Sequence, residues 1–318
     1  MSLLVTSAVL LSMLLAACGE SDTGGYTGEI QIDGSSTVFP ISQAIAEEFF
    51  LENRGTRITV GASGTGGGFE KFCRGDIDIS DASRPIKQDE ADLCAENGIA
   101  FTELTVAADG LSVIIHPDND WATCLTVEQL HQLWMPRSTV ERWSDLDPSW
   151  PDNEINLYGP GTDSGTFDYF TETINGESGA SRADYSASED DNVLIQGVEG
   201  DRYALAYLGY AYYVENADRL QVLAIDGGDG CVLPTPETVR DGSYVPLSRP
   251  VFIYVNNAGL AANDVTDLAT PGPSSTLAAF VIYYLTEGVG VIPFVGYIPY
   301  DEGVYEEQLR KVNEVTRE

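Results

Sequence analysis

Residues 61–68 read GASGTGGG, and Phe69-Glu70-Lys71-Phe72 follow at once. Two further stretches share that chemistry, GSST at 34–37 and GTDSGT at 161–166. Each joins a strand-like run to a helix-like one. The first turn of a helix carries unpaired N–H groups and a partial positive charge, so it can hold an anion. Glycine lets the backbone approach a guest closely, and Ser and Thr hydroxyls add donors. Taken singly, each turn reads equally well as a capped helix with no ligand. Three in one chain point to an oxyanion held mainly by neutral dipoles.

Other uses of these residues fit less well. A nucleotide P-loop needs G-x-x-x-x-G-K-[ST], and Lys71 is not adjacent to Gly68, the last glycine of the run. A dinucleotide fingerprint fails because GTGGGF lacks the final glycine. A hydrolase using Ser164 as nucleophile would need an activating base. No histidine lies near a nucleophile motif and no G-x-S-x-G elbow occurs. The two histidines, His116 after LSVIIHP-type strand residues and His131 in VEQLHQLW, read as structural. With no C-x-x-C either, nothing calls for a metal or a cofactor.

The elements that must position these turns are legible in the apolar pattern. EIQIDG alternates like a strand, and after GSST an apolar face recurs at Val38, Ile41, Ile45 and Phe49. RITV, GASGTGGG and FEKFC repeat the scheme, and INLYGPGTDSGTFDYF gives it a third time. Strands alternating with helices predict an α/β fold with mainly parallel sheets, whose ligands gather at the carboxyl ends of strands. Two β-rich runs, TELTVAADGLSVIIHP and SRPVFIYVN, are placed as crossings between two lobes. The middle portion has its own helix, with Thr126 and Gln129 as a capping box. YALAYLGYAYYVEN reads as an aromatic strand-rich run. PSSTLAAFVIYYLTEG reads as a capped, buried helix, and YEEQLRKVNEV as a closing amphipathic one.

Charge narrows the partners. Fifty Asp and Glu stand against 16 Lys and Arg, for a formal charge of −34, and the lysines are only Lys71, Lys87 and Lys311. Nucleic acid needs a basic surface and finds none here. The acidic residues are scattered, which describes a strongly hydrated surface of the kind found in proteins working at high salt.

The chain opens MSLLVTSAVLLSMLLAACGESDTGG. That apolar run is short for a membrane span and suits a signal peptide over residues 1–17. Leu15-Ala16-Ala17-Cys18-Gly19 resembles the bacterial lipobox, in which Cys18 is lipidated after cleavage. No Lys or Arg precedes the run, and an ordinary secretory signal is the alternative. Residues 18–27 read as a polar tether. Cys73, Cys94, Cys124 and Cys231 then form an even set in an exported chain, which favours disulfides. Four cysteines allow three connectivities; Cys73–Cys94 with Cys124–Cys231 is the favoured one.

Four stretches carry a family resemblance over nearly the whole mature chain: DGSSTVFPISQAIAEEF, GASGTGGGFEKFCRGDIDISDASRPI, YGPGTDSGTFDYF and YSASEDDNVLIQGV. They resemble the phosphate-binding lipoproteins that feed the phosphate ABC transporter, in the PstS/SphX-like subgroup. The resemblance implies a two-lobed periplasmic-binding-protein fold of type II, with mainly parallel sheets flanked by helices and two hinge crossings. Lobe I would take residues 28–107 and 250–318, and lobe II residues 108–249. It implies a monomer at the outer face of the cytoplasmic membrane or in the periplasm, partnered by inorganic phosphate and a membrane permease.

Carried over position by position, the phosphate ligands would be Ser36, Thr37 and Val38, then Ser63 and Gly64, then Ser164, Gly165 and Thr166. Asp81, in SDASRP, would face the guest and accept the proton that phosphate carries and sulfate lacks. One departure stands out. Better-known family members have an arginine just before the D-G-S-G-T motif, where this chain has Pro160. Arg84 and then Arg182 are the candidates for the missing cation, each able to fork onto phosphate. Arsenate, sulfate or molybdate binding, phosphate-ester hydrolysis, and a sensory or adhesive role remain the alternative functions.

Overall fold

The computed structural model describes residues 25–162, 164–262 and 272–317. The proposed signal peptide, Cys18 and Asp163 lie outside the described residues.

The first half is built by the repeat of strand, turn and helix. β1 (Thr27–Gly34) leads to α1 (Phe39–Glu52), β2 (Gly55–Val60) to α2 (Thr65–Cys73), and β3 (Ile79–Ala82) to α3 (Gln88–Glu96). β1 lies between β2 and β3 and pairs with both in parallel. Their carboxyl ends therefore emerge side by side, each beside the next helix start. The stripe Val38, Ile41, Ile45 and Phe49 is buried against the sheet, which is why that run is helical.

β4 (Phe101–Ile115) is one continuous strand of 15 residues. After it come β5 (Cys124–Thr126), α4 (Val127–Trp134), α5 (Trp143–Leu146), β6 (Asn156–Pro160), α6 (Gly165–Asn175), β7 (Ser186–Ser188), α7 (Asp191–Glu199), β8 (Ala204–Gly209) and α8 (Tyr210–Glu215). β6 pairs in parallel with β7 and β8, repeating the arrangement of the first half. The Thr126–Gln129 capping box is present, with Gln129 N donating to Thr126 Oγ1 and Thr126 N to Gln129 Oε1. The aromatic run around residue 207 corrects a sequence expectation. It is a strand only to Gly209, where the chain turns into α8 and carries three tyrosines onto a helix.

β9 (Gln221–Val222), β10 (Ala224–Asp226), β11 (Cys231–Val232) and α9 (Pro236–Arg240) complete the second half. β5, β10 and β11 form a small sheet that the sequence pattern did not announce, because its strands span only two or three residues. β12 (Ser248–Asn256) then returns antiparallel to both β4 and β3. The principal sheet runs β2-β1-β3-β12-β4-β8-β6-β7, with β9 on β4. Two parallel triplets thus flank two long antiparallel strands, a mixed sheet. α10 (Asn257–Leu260), α11 (Thr276–Leu285), a 3-10 segment (Glu287–Val295) and α12 (Glu302–Val315) close the chain. Ser275 caps α11 by accepting from Ala278 N, and that helix is mostly buried.

Apolar side chains segregate with the halves. One cluster joins Ile30 through Ala107 to Val251 through Val312, and another runs from Ala108 to Leu247 with Ile298 added. The switch falls within β4 and at the start of β12, which carry the chain between the two cores. Disulfides join Cys73 to Cys94 and Cys124 to Cys231. The first bridge ties the end of α2 to α3; the second ties β5 to β11 in the small sheet. No single described helix is long and apolar enough to cross a membrane.

Candidate functional site

The helix starts converge. A cavity of about 550 Å³ is walled by Ser35, Ser36 and Thr37 from the turn before α1, and by Gly64, Thr65 and Gly66 at the start of α2. Gly165, Asp168, Tyr169 and Glu172 of α6 face them from the second half. Ser83, Arg84 and Lys87, after β3, and Arg249, on β12, complete the wall. The parallel triplets explain this meeting: β1, β2, β3 and β6 all deliver their following segment to one side.

Local geometry follows residue type. Gly64 adopts φ +81°, a left-handed conformation costly for side-chain-bearing residues, and its amide donates to Gly34 O. That turn lets α2 begin with Thr65 facing the cavity. The Thr65 and Ser83 hydroxyls lie 3.1 Å apart, and the Ser83 amide donates to Thr65 Oγ1. Ser164 caps α6 by accepting from Thr166 N at 3.2 Å. A Cβ on Gly165 would stand 3.1 Å from Thr37 Oγ1, 3.2 Å from Thr37 N and 3.3 Å from Ser36 Oγ. The start of α6 and the turn before α1 are therefore nearly in contact across the cavity.

The expected site residues separate on this geometry. Ser36, Thr37, Gly64, Arg84 and Gly165 are cavity walls. Ser164 and Thr166 flank Gly165, and Val38 follows Thr37 with its side chain buried in the core. Ser63 is not a wall; its amide donates to Asp33 Oδ1, which pins the second turn to β1.

Asp81, expected to face the guest, lies behind the cavity walls. Its side chain is fully buried, away from the cavity walls, with Oδ1 accepting from Ser42 of α1 and Tyr284 of α11 beyond it. Residue 81 is still in β3, where alternate side chains take opposite faces, and this one enters the layer of α1 and α11. The residue presented to the cavity is Ser83, past the strand end. Burial pushes the Asp81 carboxyl up to about 8; Ser42 opposes that shift and Asp33 adds to it. Its other oxygen, Oδ2, is buried and has no hydrogen-bond partner among the described residues.

Arg182 is a correction. Nε and Nη2 fork onto Asp184 at 2.7 and 2.8 Å, while Nη1 donates to the Leu133 and Val140 carbonyls. It organises the loop after α6 and is not a cavity wall. Arg84 is at the wall but engaged: Nη1 and Nη2 reach Glu90 at 2.8 and 2.7 Å. Burial raises the Glu90 carboxyl, yet Arg84 and the Lys87 amide outweigh it and leave Glu90 below its ordinary range.

The residue missed by the sequence reading is Arg249. Its Nε donates to Asp109 Oδ2 at 3.1 Å, its Nη2 to Thr37 Oγ1 at 3.0 Å, and its guanidinium carbon lies 3.5 Å from the Tyr169 ring centroid. Burial pushes the Asp109 carboxyl above its usual range, and Arg249 pulls the other way. Arg249 sits in SRPVFIYVN, read only as a strand. The cue available was an arginine at the mouth of a predicted crossing. Asp168, Glu172 and Tyr169, one and two turns into α6, were likewise passed over as ordinary helix positions.

Ser164 Oγ is occupied as a cap. His116 Nδ1 accepts from the Asp118 amide, and His131 Nδ1 bonds to Ile174 O and Asn175 Oδ1. No group of three or more metal-ligating side chains occurs among the described residues.

The model of the PBP superfamily domain matches residues 20–287. Protein SphX of Synechocystis is 46% identical over 303 residues, covering 95% of this chain and 86% of that one. Phosphate-binding protein PstS of Staphylococcus saprophyticus is 40% identical over 262 residues, covering 81% of this chain and 80% of its own. The crystal structure of a possible phosphate binding protein from Planctomyces limnophilus superposes with a TM-score of 0.83 at 45% identity. It covers 92% of this chain and 99% of its own.

Proposed function

Because the chain belongs to the PBP superfamily, among the SphX and PstS phosphate-binding proteins, we propose that it captures inorganic phosphate and delivers it to the permease of an ABC importer. The observation that carries this reading is the near contact of Gly165 with Ser36 and Thr37, which points the starts of α1 and α6 at one cavity. Helix-start amides and hydroxyls are suited to a tetrahedral oxyanion and need no cofactor.

The ligand set we propose is Ser36, Thr37 and Val38, Gly64 with Thr65, and Ser164, Gly165 and Thr166. Ser83 takes the place first given to Asp81. The halves act as lobes, residues 28–107 with 250–318 and residues 108–249, closing about β4 and β12 by hinge motion. Cys18 would carry a lipid that holds the protein at the outer face of the membrane. The protein acts as a monomer, and its acidic surface suits a saline medium. Its Staphylococcus saprophyticus relative bears the name of a phosphate-binding protein.

Isothermal titration of ligand-stripped protein with phosphate, sulfate and arsenate tests the reading. Saturable one-to-one phosphate binding is expected, with sulfate far weaker. Equal affinity for sulfate would move the assignment to a general oxyanion carrier. Turnover of a chromogenic phosphate ester would revive the hydrolase.

A further inference from the structure

The cavity has three cations at its wall, and they are not equivalent. Arg84 already spends both Nη groups on Glu90. Lys87 is exposed, at the start of α3. Arg249 is half-buried, with 14% of its side chain accessible, and is held on three sides. Asp109 takes Nε, Thr37 takes Nη2, and the Tyr169 ring covers one face. Among the described residues Nη1 has no hydrogen-bond partner. A planar fork anchored along one edge offers its other edge already ordered, so little rotamer entropy is lost when an oxyanion arrives.

The position is as telling as the valence. Thr37 Oγ1, which accepts from Arg249, is the atom that a Cβ on Gly165 would meet at 3.1 Å. Arg249 therefore reaches the point where α6 and the turn before α1 converge. We propose that Arg249 is the cation that grips the phosphate, and that its bond to Asp109 ties this grip to the hinge strands. This rests on the phosphate reading above. Arg249 and Asp109 are paired register partners on β12 and β4, Thr37 belongs to the first half, and Tyr169 belongs to the second. One guanidinium thus touches both halves and both crossing strands. Opening the cleft must break its contact with Thr37 or with Tyr169. A bound dianion bridging Nη1 and the start of α6 favours the closed arrangement.

The test must avoid leaving Asp109 buried and unpaired, since that alone can unfold a protein. The comparison is therefore Asp109→Asn against Asp109→Asn with Arg249→Met, both titrated with phosphate and with folding followed by circular dichroism. Loss of the guanidinium in that background is expected to weaken phosphate binding at least about 100-fold, the scale of a buried charge-assisted contact. Arg249→Lys keeps the charge without the fork and should fall between. Arg84→Met should cost less than a tenth of the Arg249 loss. Phosphate affinities within threefold for the paired variants would overturn the assignment, as would a larger loss from Arg84→Met. Absence of phosphate binding by the unmodified protein would instead bring down the phosphate reading, and this inference with it.

Discussion

Gly165 and Thr37 approach so closely that a single methyl group on Gly165 would stand 3.1 Å from the threonine hydroxyl. The two residues belong to different halves of the chain and meet at the cavity. Shape at this point is set by the absence of a side chain, and the two helix starts can share a guest because nothing separates them.

Gly165→Ala should therefore act as a wedge. Gly165 opens α6 and has no left-handed φ, so alanine is compatible with the local backbone. Stability of the ligand-free protein should change by less than about 1 kcal/mol, since Gly→Ala at a compatible position is mildly favourable. Phosphate affinity should fall roughly tenfold or more, the scale of about 1.4 kcal/mol per decade. Thermal melts with and without phosphate separate these effects. A large drop in the ligand-free melting temperature with unchanged affinity would refute the wedge.

Asp81 should govern stability rather than selectivity. Its carboxyl ionises near 3.8 when unfolded and near 8 when buried in the fold. Between those values the folded state keeps a proton that the unfolded chain has lost. This contribution is therefore fully present below about pH 4 and is lost as pH rises through about 8. Asp81→Asn removes the titration, and its melting temperature relative to the parent should climb steadily from pH 5 to pH 8. Sulfate rejection should be unchanged. A variant whose relative stability is flat across that range would contradict the burial argument.

These two residues show what the sequence could and could not disclose. The three turns were legible because glycine, serine and threonine after a strand leave a local signature; α1 begins just past it, while α2 and α6 begin inside it, at Thr65 and Gly165. The disulfides Cys73–Cys94 and Cys124–Cys231 were legible as an even set in an exported chain. Asp81 shows that motif and facing are separate matters: SDASRP places an aspartate near the site, but the pleat of β3 decides which way it looks. Arg249 was missed. Its neighbours Asp109 and Thr37 are 140 and 212 residues away, and only the antiparallel return of β12 brings them together.

The longer disulfide should matter more. Cys124–Cys231 closes a loop of 107 residues, while Cys73–Cys94 spans 21. Chain-entropy estimates put the stabilisation at about 4 to 5 kcal/mol for the long loop and about 3 for the short one. Replacing Cys124 and Cys231 together by serine should lower the denaturation midpoint more than replacing Cys73 and Cys94. Phosphate affinity should survive in whichever variant folds, because neither bridge lines the cavity. The reverse ordering of midpoints would show that local packing around α2 and α3 outweighs loop closure.

At the cavity wall itself, a second acceptor is available to read the proton on phosphate. Asp168 is placed for it. It is a cavity wall one turn into α6, and Ser178 Oγ donates to Oδ1 at 2.9 Å. A hydrogen phosphate lying against the start of α6 can donate its proton to this carboxylate, while sulfate would meet only repulsion. Asp168→Asn replaces half of the acceptor with a donor and removes the charge. Sulfate affinity should rise about tenfold or more while phosphate affinity falls, since a site built around a hydrogen bond rejects the analogue lacking it. Competition titrations at pH 7.5, written as the ratio of the two dissociation constants, read this directly. An unchanged ratio would pass the role to Glu172, one turn further along the same helix face, and Glu172→Gln would then have to collapse it.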